Sequence, residues 1–254
     1  MQAPQITLIL PAYNEAKRIA ETITQAKGYF ESRSITYEII VSADGNDGTR
    51  DIVSSMAITD PRVIGIGNIE RRGKGYGIRQ AVAIAQGDIV GFADADNKTP
   101  IEELDKILPV FLNSSYDLVI GSRGLSTSKI EQPQAFYRQI GSKGFAIFMH
   151  LIVGLNDIVD TQCGFKFFKH QVALDLFSRQ KIDGYMYDVE ILYLAQKAGH
   201  KIAQVPVRWR DDGDSRLQLL AGNVRNVLDI FRIRFTSDVT TSPVPTPLKA
   251  SKPK

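Results

Sequence analysis

The first half of this chain alternates short β-rich runs with segments of helical spacing, and that alternation limits the possible folds more than any single motif. ITLIL (6–10) leads into NEAKRIAETITQAKGYF, where Ile19, Ile23, Ala26 and Phe30 recur at helical intervals. EIIVSA (38–43) precedes DGTRDIVSSMA, and RVIGIG (62–67) precedes KGYGIRQAVAIAQ. DIVGFADA (88–95) precedes a helix whose start reads as a capping box, Thr99-Pro100-Ile101-Glu102, with proline at the first helical position. DLVIGSR (117–123) is a fifth strand. Strands alternating with helices predict an α/β fold with a mostly parallel central sheet and helices on both faces.

The second half is less regular. Helices are predicted over QAFYRQIGSKGFAIFMHLIVG, YDVEILYLAQKAG and SRLQLLAGNVRNVLDIFRIRF, with strands at TQCGFKFF and KIAQVPVRW. Residues 1–235 read as one domain. Residues 236–254, rich in Pro, Ser, Thr and Lys, read as a tail with too little apolar surface to order itself. The longest apolar stretch, FAIFMHLIVGL, spans about 16 Å as a helix against a ~30 Å hydrocarbon core, so no membrane span is expected.

Composition removes several classes of function. A formal charge of +3 does not point to a nucleic-acid binder. The one cysteine, Cys163, allows no intrachain disulfide, and with His150, His170 and His200 it shows no zinc-ligand spacing.

Every early strand is followed by a stretch dense in Asp, Asn, Arg or Gly. These are PAYNE (11–15), ADGNDGT (43–49), RRGKG (71–75), DADN (94–97) and GSR (121–123). In an open α/β sheet, the carboxyl ends of the strands are where ligands bind. Asp94 and Asp96 are two residues apart, so on an extended backbone both carboxylates leave the same face. Such a pair, without His or Cys, suits Mg²⁺ or Mn²⁺, which completes its shell with water and phosphate oxygens. RRGKGYG lacks the dinucleotide spacing and follows the third strand. It still brings backbone N–H groups and Lys74 toward an anion. Cys163, inside an apolar strand, reads as a core residue, and Trp209 as either core or a surface anchor.

PAYNE, ADG…DGT, RGKG, FADAD, GSR, DTQCGFKFF and GDSRL together resemble glycosyltransferase family 2, in its polyprenyl-phosphate branch. The resemblance covers about residues 5 to 220 and implies the inverting GT-A fold. It implies hexose transfer from a nucleoside-diphosphate sugar, UDP-glucose first, to a polyprenyl phosphate at the cytoplasmic face of a membrane. Alternatives are GDP-mannose as donor, a soluble acceptor, or a non-catalytic nucleotide-sugar module. By resemblance, Pro11, Ala12, Tyr13, Glu15, Asp44, Lys74, Asp94 and Ala95 line the donor site, and Asp94 and Asp96 hold Mg²⁺ or Mn²⁺. Arg123, Arg138, Arg210, Ser215 and Arg216 meet phosphates. Asp96, Arg123, Arg138 and Arg210 form the catalytic group.

The turn ADGNDGT is one residue shorter than the family's DDGSxDGT, and Arg216 stands where the family has lysine. A phosphate acceptor carries about −1.5 to −2 charge at neutral pH, so it needs arginines more than a general base. Asp160, Asp188 and Glu190 read as orienting arginines, touching the sugar or serving structure. The stretch GFAIFMHLIVG and the terminal helix, with leucines, isoleucines and Phe231 among Arg216, Arg225, Arg232 and Arg234, fit a peripheral membrane contact, packing on the domain, or a homo-oligomer contact.

Overall fold

A computed structural model describes residues 3–113, 115–132, 149–210 and 221–236. Its centre is a seven-stranded sheet in the order β3-β2-β1-β4-β7-β5-β8. The strands are β1 (Ile6–Tyr13), β2 (Tyr37–Asp44), β3 (Val63–Ile66), β4 (Ile89–Ala93), β5 (Leu118–Ser122), β7 (Phe165–Lys169) and β8 (Ile202–Pro206). Strand β6 (Lys129–Gln132) pairs in parallel with β9 (Arg208–Arg210) as a separate two-stranded ribbon. Six sheet strands are parallel, and β7 runs antiparallel between β4 and β5.

Helices α1 (Ile19–Ser32), α2 (Thr49–Thr59), α3 (Lys74–Ile84) and α4 (Leu104–Asn113) follow β1 to β4. Helices α5 (His170–Arg179), α6 (Tyr187–Lys197) and α7 (Ala221–Thr236) belong to the second half, where residues 149–153 are also helical. The two faces of the sheet bury separate cores. Along β1, Ile6, Leu8 and Leu10 join one apolar cluster with Ile19, Ile23, Ala26 and Phe30 of α1, while Ile9 joins the other with Ile78 of α3 and Tyr187 of α6. Alternation along the strand thus feeds both layers. Each fully buried Leu or Ile is worth about 1.5–3 kcal/mol over its exposed state.

Three local expectations are corrected. The chain before α4 forms a short 3₁₀ turn, Ile101–Glu103, with Pro100 extended ahead of it and no side-chain cap. Pro100 therefore lies outside the helical turn. The buried acidic residue is Glu103, which meets Arg208 and Lys106, rather than the capping-box residue Glu102. KIAQVPVRW is two strands in two sheets, since the chain leaves the main sheet at Pro206 and re-pairs at Arg208. TQCGFKFF becomes a strand only at Phe165.

The antiparallel direction of β7 matters for the site. It places the start of that strand, preceded by Asp160–Gly164, at the same rim as the carboxyl ends of β4 and β5.

Candidate active site

The rim gathers Tyr13, Asp44, Asp94, Asp96, Arg123 and Asp160 from segments far apart in sequence. Strand β4 ends at Ala93, and Asp94 to Asn97 form a turn in which Asn97 N–H donates to the Asp94 carbonyl at 3.1 Å. The extended Asp94–Asp96 geometry expected from spacing is therefore replaced by a turn. Thr22 of α1 fixes it, donating its hydroxyl to the Ala95 carbonyl at 2.9 Å. Asn97 completes it with a left-handed φ of 54°.

The two carboxylates still act on one another. Burial, then the nearby Asp94 charge, raises the Asp96 carboxyl above its ordinary range. Lys98 faces Asp96 at 3.4 Å, and the Lys74 ammonium donates to Oδ1 of Asp94 at 2.5 Å. Burial works against the Lys74 charge, but Asp94, Asp188 and Asp96 together hold its pKa above the usual lysine value. Gly164 approaches this corner so closely that a Cβ there would lie 2.1 Å from Oδ2 of Asp94. Among the described residues, no three His, Cys, Asp or Glu side chains form a metal cluster. Two crowded oxygen-donor carboxylates fit a hard divalent ion that takes its remaining ligands from water and phosphate.

Arg123 follows β5 and is locked by Asp160. Its Nε donates to Oδ2 at 2.7 Å, its Nη2 to Oδ1 at 2.9 Å, and its backbone N–H to Oδ2 at 2.9 Å. Burial opposes ionisation of Asp160, yet the Arg123 charge and hydrogen bonds bring its pKa down to about 2. The guanidinium also lies 5.4 Å from the Trp209 ring. The backbone N–H of Arg210, whose side chain is exposed, donates to the Lys98 carbonyl at 3.0 Å, which ties β9 to the DADN turn.

On the other side of the rim, Pro11, Ala12 and Tyr13 end β1. Glu15 N–H donates to the Thr49 hydroxyl at 2.9 Å and Ala16 N–H to Asp47 at 3.0 Å, so the PAYNE and ADGNDGT loops brace one another. The Asp44 carboxylate is buried and accepts from Asn68 N–H, Asn68 Nδ2 and Arg72 N–H. It holds the loop between β3 and α3. Arg71 sits 4.4 Å from the Tyr13 ring and donates to the Tyr185 hydroxyl at 3.0 Å. Gly73 is required at φ 116°, where a Cβ would lie 2.3 Å from the Asp183 carbonyl.

Arg138, Ser215 and Arg216 lie outside the described residues. Sequence reasoning left Asp188 and Glu190 open. Here Asp188 accepts from the fully buried Lys166 at 2.7 Å, and Glu190 accepts the N–H groups of Lys181 and Ile182. Cys163 is buried, as its apolar surroundings in sequence implied. The Lys166–Asp188 pair and the Arg71–Tyr185 contact were missed, because each joins segments with no shared local pattern.

Residues 7–176 match the description Glycosyl transferase family 2. The chain belongs to that family. It is 32% identical over 237 residues to a dolichyl-phosphate beta-glucosyltransferase of Trichomonas vaginalis, covering 89% of this chain and 70% of the relative. Against the Dictyostelium discoideum protein of the same name, identity is 32% over 91% of this chain and 74% of the relative. The Homo sapiens counterpart is 31% identical over 84% and 69%. Among solved structures, mannosyl-3-phosphoglycerate synthase of Rubrobacter xylanophilus matches with a TM-score of 0.67 at 17% identity, over 91% of this chain and 72% of that one. Glucosyl-3-phosphoglycerate synthase of Mycobacterium tuberculosis, solved with Mn²⁺ and UDP, matches at 0.65 and 19%, over 91% and 80%. The fold is therefore GT-A, and the protein is a glycosyltransferase.

Proposed function

We propose that this glycosyltransferase moves glucose from UDP-glucose to dolichyl phosphate, or a related polyprenyl phosphate, with inversion at the anomeric carbon. The observation that carries the reading is the meeting at one rim of the Asp94–Asp96 corner and the Asp160-locked Arg123. An anion-holding arginine beside a cation-holding acid pair suits a reaction between two phosphate-bearing molecules. The names of the relatives supply the acceptor and the sugar.

The donor diphosphate would lie at the Asp94–Asp96 corner, with Pro11, Ala12, Tyr13, Glu15, Asp44, Lys74 and Ala95 along the nucleotide side. Asp94 and Asp96 would hold Mg²⁺ or Mn²⁺, which when bound neutralises charge on the departing diphosphate. Arg123, held by Asp160, would place the acceptor phosphate, with Arg210 and, beyond the described residues, Arg138, Ser215 and Arg216 assisting. A phosphate oxygen forms the new bond to the anomeric carbon while the bond from that carbon to the diphosphate oxygen breaks. No proton has to be removed, because the acceptor is already ionised.

We also propose that the enzyme attaches peripherally to the cytoplasmic face of a membrane through α7. One face of this helix buries Asn226, Asp229, Ile230 and Ile233, while Leu228, Phe231 and Phe235 are exposed beside Arg225, Arg232 and Arg234. That mixture suits an anionic lipid surface. No helix among the described residues is long and apolar enough to cross a membrane. Residues 1–235 would make up the catalytic domain, and residues 236–254 a tail.

The test is a matrix of UDP- and GDP-sugars against dolichyl phosphate and 3-phosphoglycerate, with Mg²⁺, Mn²⁺ or chelator. Glucose transfer from UDP-glucose to the lipid, giving the β-linked product, supports the reading. Transfer confined to GDP-mannose, or to the water-soluble acceptor, overturns it.

A further inference from the structure

Asp94 is already neutralised within the protein. The Lys74 ammonium meets its Oδ1, with the lysine side chain 20% exposed and the aspartate 39%. We infer that Lys74 is a resident cation which a divalent ion must displace from Asp94, so that the metal and the donor diphosphate are taken up together. This rests on the reading of Asp94 and Asp96 as the ion anchor.

The charges around the corner carry the inference. Asp94 faces Lys74, Asp96 faces Lys98, and Asp188 beneath them faces Lys166. Arg123 and Asp160 form a further matched pair. Each of these carboxylates therefore has a cationic partner before any ligand arrives. A divalent ion entering alone brings two uncompensated positive charges to within a few ångströms of Lys74 and Lys98. A diphosphate entering alone brings surplus negative charge beside Asp94 and Asp96. Entering together, the two nearly cancel, and Lys74, released from Asp94, becomes a counter-ion for the diphosphate.

Lys74 is built for such an exchange. Its backbone begins α3 and is fixed by Gly73 against Asp183, while its four-carbon stem leaves the ammonium free to change partners. Behind it, the Tyr187 ring lies 5.8 Å from Nζ. Because linkage is reciprocal, the metal must strengthen nucleotide binding by the same factor that the nucleotide strengthens metal binding.

Mn²⁺ binding to the full chain, followed by electron paramagnetic resonance with and without UDP, tests this without measuring turnover. The wild type is expected to bind Mn²⁺ weakly alone and about tenfold or more tightly with UDP. Lys74→Met is expected to bind nucleotide-free Mn²⁺ about tenfold more tightly and to lose most of the UDP enhancement. Lys74→Arg, which keeps the charge, is expected to keep nucleotide-free Mn²⁺ binding weak, and Lys74→Gln repeats the comparison should the methionine variant fold poorly. Unchanged nucleotide-free affinity in both neutral variants, with UDP-dependent binding intact in the wild type, overturns the role of Lys74 and leaves the ion anchor standing. If neither the wild type nor any variant binds Mn²⁺ in the presence of UDP, the anchor fails and the inference with it.

Discussion

Arg123 and Asp160 are joined by a two-pronged contact, Nε to Oδ2 at 2.7 Å and Nη2 to Oδ1 at 2.9 Å, between the end of β5 and the approach to β7. The fork leaves the guanidinium little freedom to rotate, so in the proposed reaction the arginine would meet the acceptor phosphate in one orientation. The contact also makes stability depend on acid. Asp160 titrates at about 2 in the folded chain against an ordinary 3.8, so its contribution is complete above about pH 4 and is lost as pH falls through 2. Asp160→Asn should flatten that part of the profile, as read from urea midpoints between pH 2 and 5. It should also raise the apparent KM for the acceptor more than that for the donor.

Lys166 and Asp188 form a pair with side-chain exposures of 0% and 5%. Removing one partner strands a charge in the core. Asp188→Leu alone should destabilise the fold by about 3–5 kcal/mol. Adding Lys166→Met should recover most of that loss, because the stranded ammonium is gone. Urea denaturation of the two single variants and the double variant checks this.

Cys163 is fully buried, and burial, aided by Asp160, pushes its thiol up to about 12. Almost none of it is thiolate near neutrality, and reagents cannot reach it. In the native protein at pH 8 it should react with a disulfide reagent at least ~100-fold more slowly than a free thiol. Denaturation should restore the full rate.

The exposed face of α7 offers a separate test. Phe231 and Phe235 stack with centroids 6.4 Å apart beside the exposed Leu228. Leu228→Asp combined with Phe235→Asp should lower partitioning onto anionic vesicles by about tenfold or more, since each loses apolar burial and adds repulsion. Transfer to a short-chain, water-soluble acceptor phosphate should be retained. Flotation with anionic and neutral vesicles at low and high salt reads the first effect.

Much of the fold was legible because the β1–β4 half obeys a simple rule: a strand, a polar turn, then a helix with an apolar stripe. Ile19, Ile23, Ala26 and Phe30 all point into the core as their spacing required. The turns themselves were less legible. The spacing of Asp94 and Asp96 implies an extended pair, but Asn97 and the bond from Thr22, 73 residues away from Ala95, bend the chain first. The second half hid more. An antiparallel β7 has no different periodicity from a parallel strand, so nothing local placed Asp160 beside Arg123. Likewise the Lys166–Asp188 pair joins a strand to a helix, and its signal, a lysine inside the apolar run GFKFF, was open to other readings.

In the proposed reaction Asp96 helps to anchor the donor diphosphate. The most direct measurement is glucose transfer from labelled UDP-glucose to dolichyl phosphate by Asp96→Asn, a change that keeps the side chain's shape and removes its charge. Transfer should fall by about 10²–10³-fold, with UDP affinity no longer raised by Mn²⁺ and the thermal midpoint nearly unchanged. Transfer at the wild-type rate, still dependent on the metal, would contradict it.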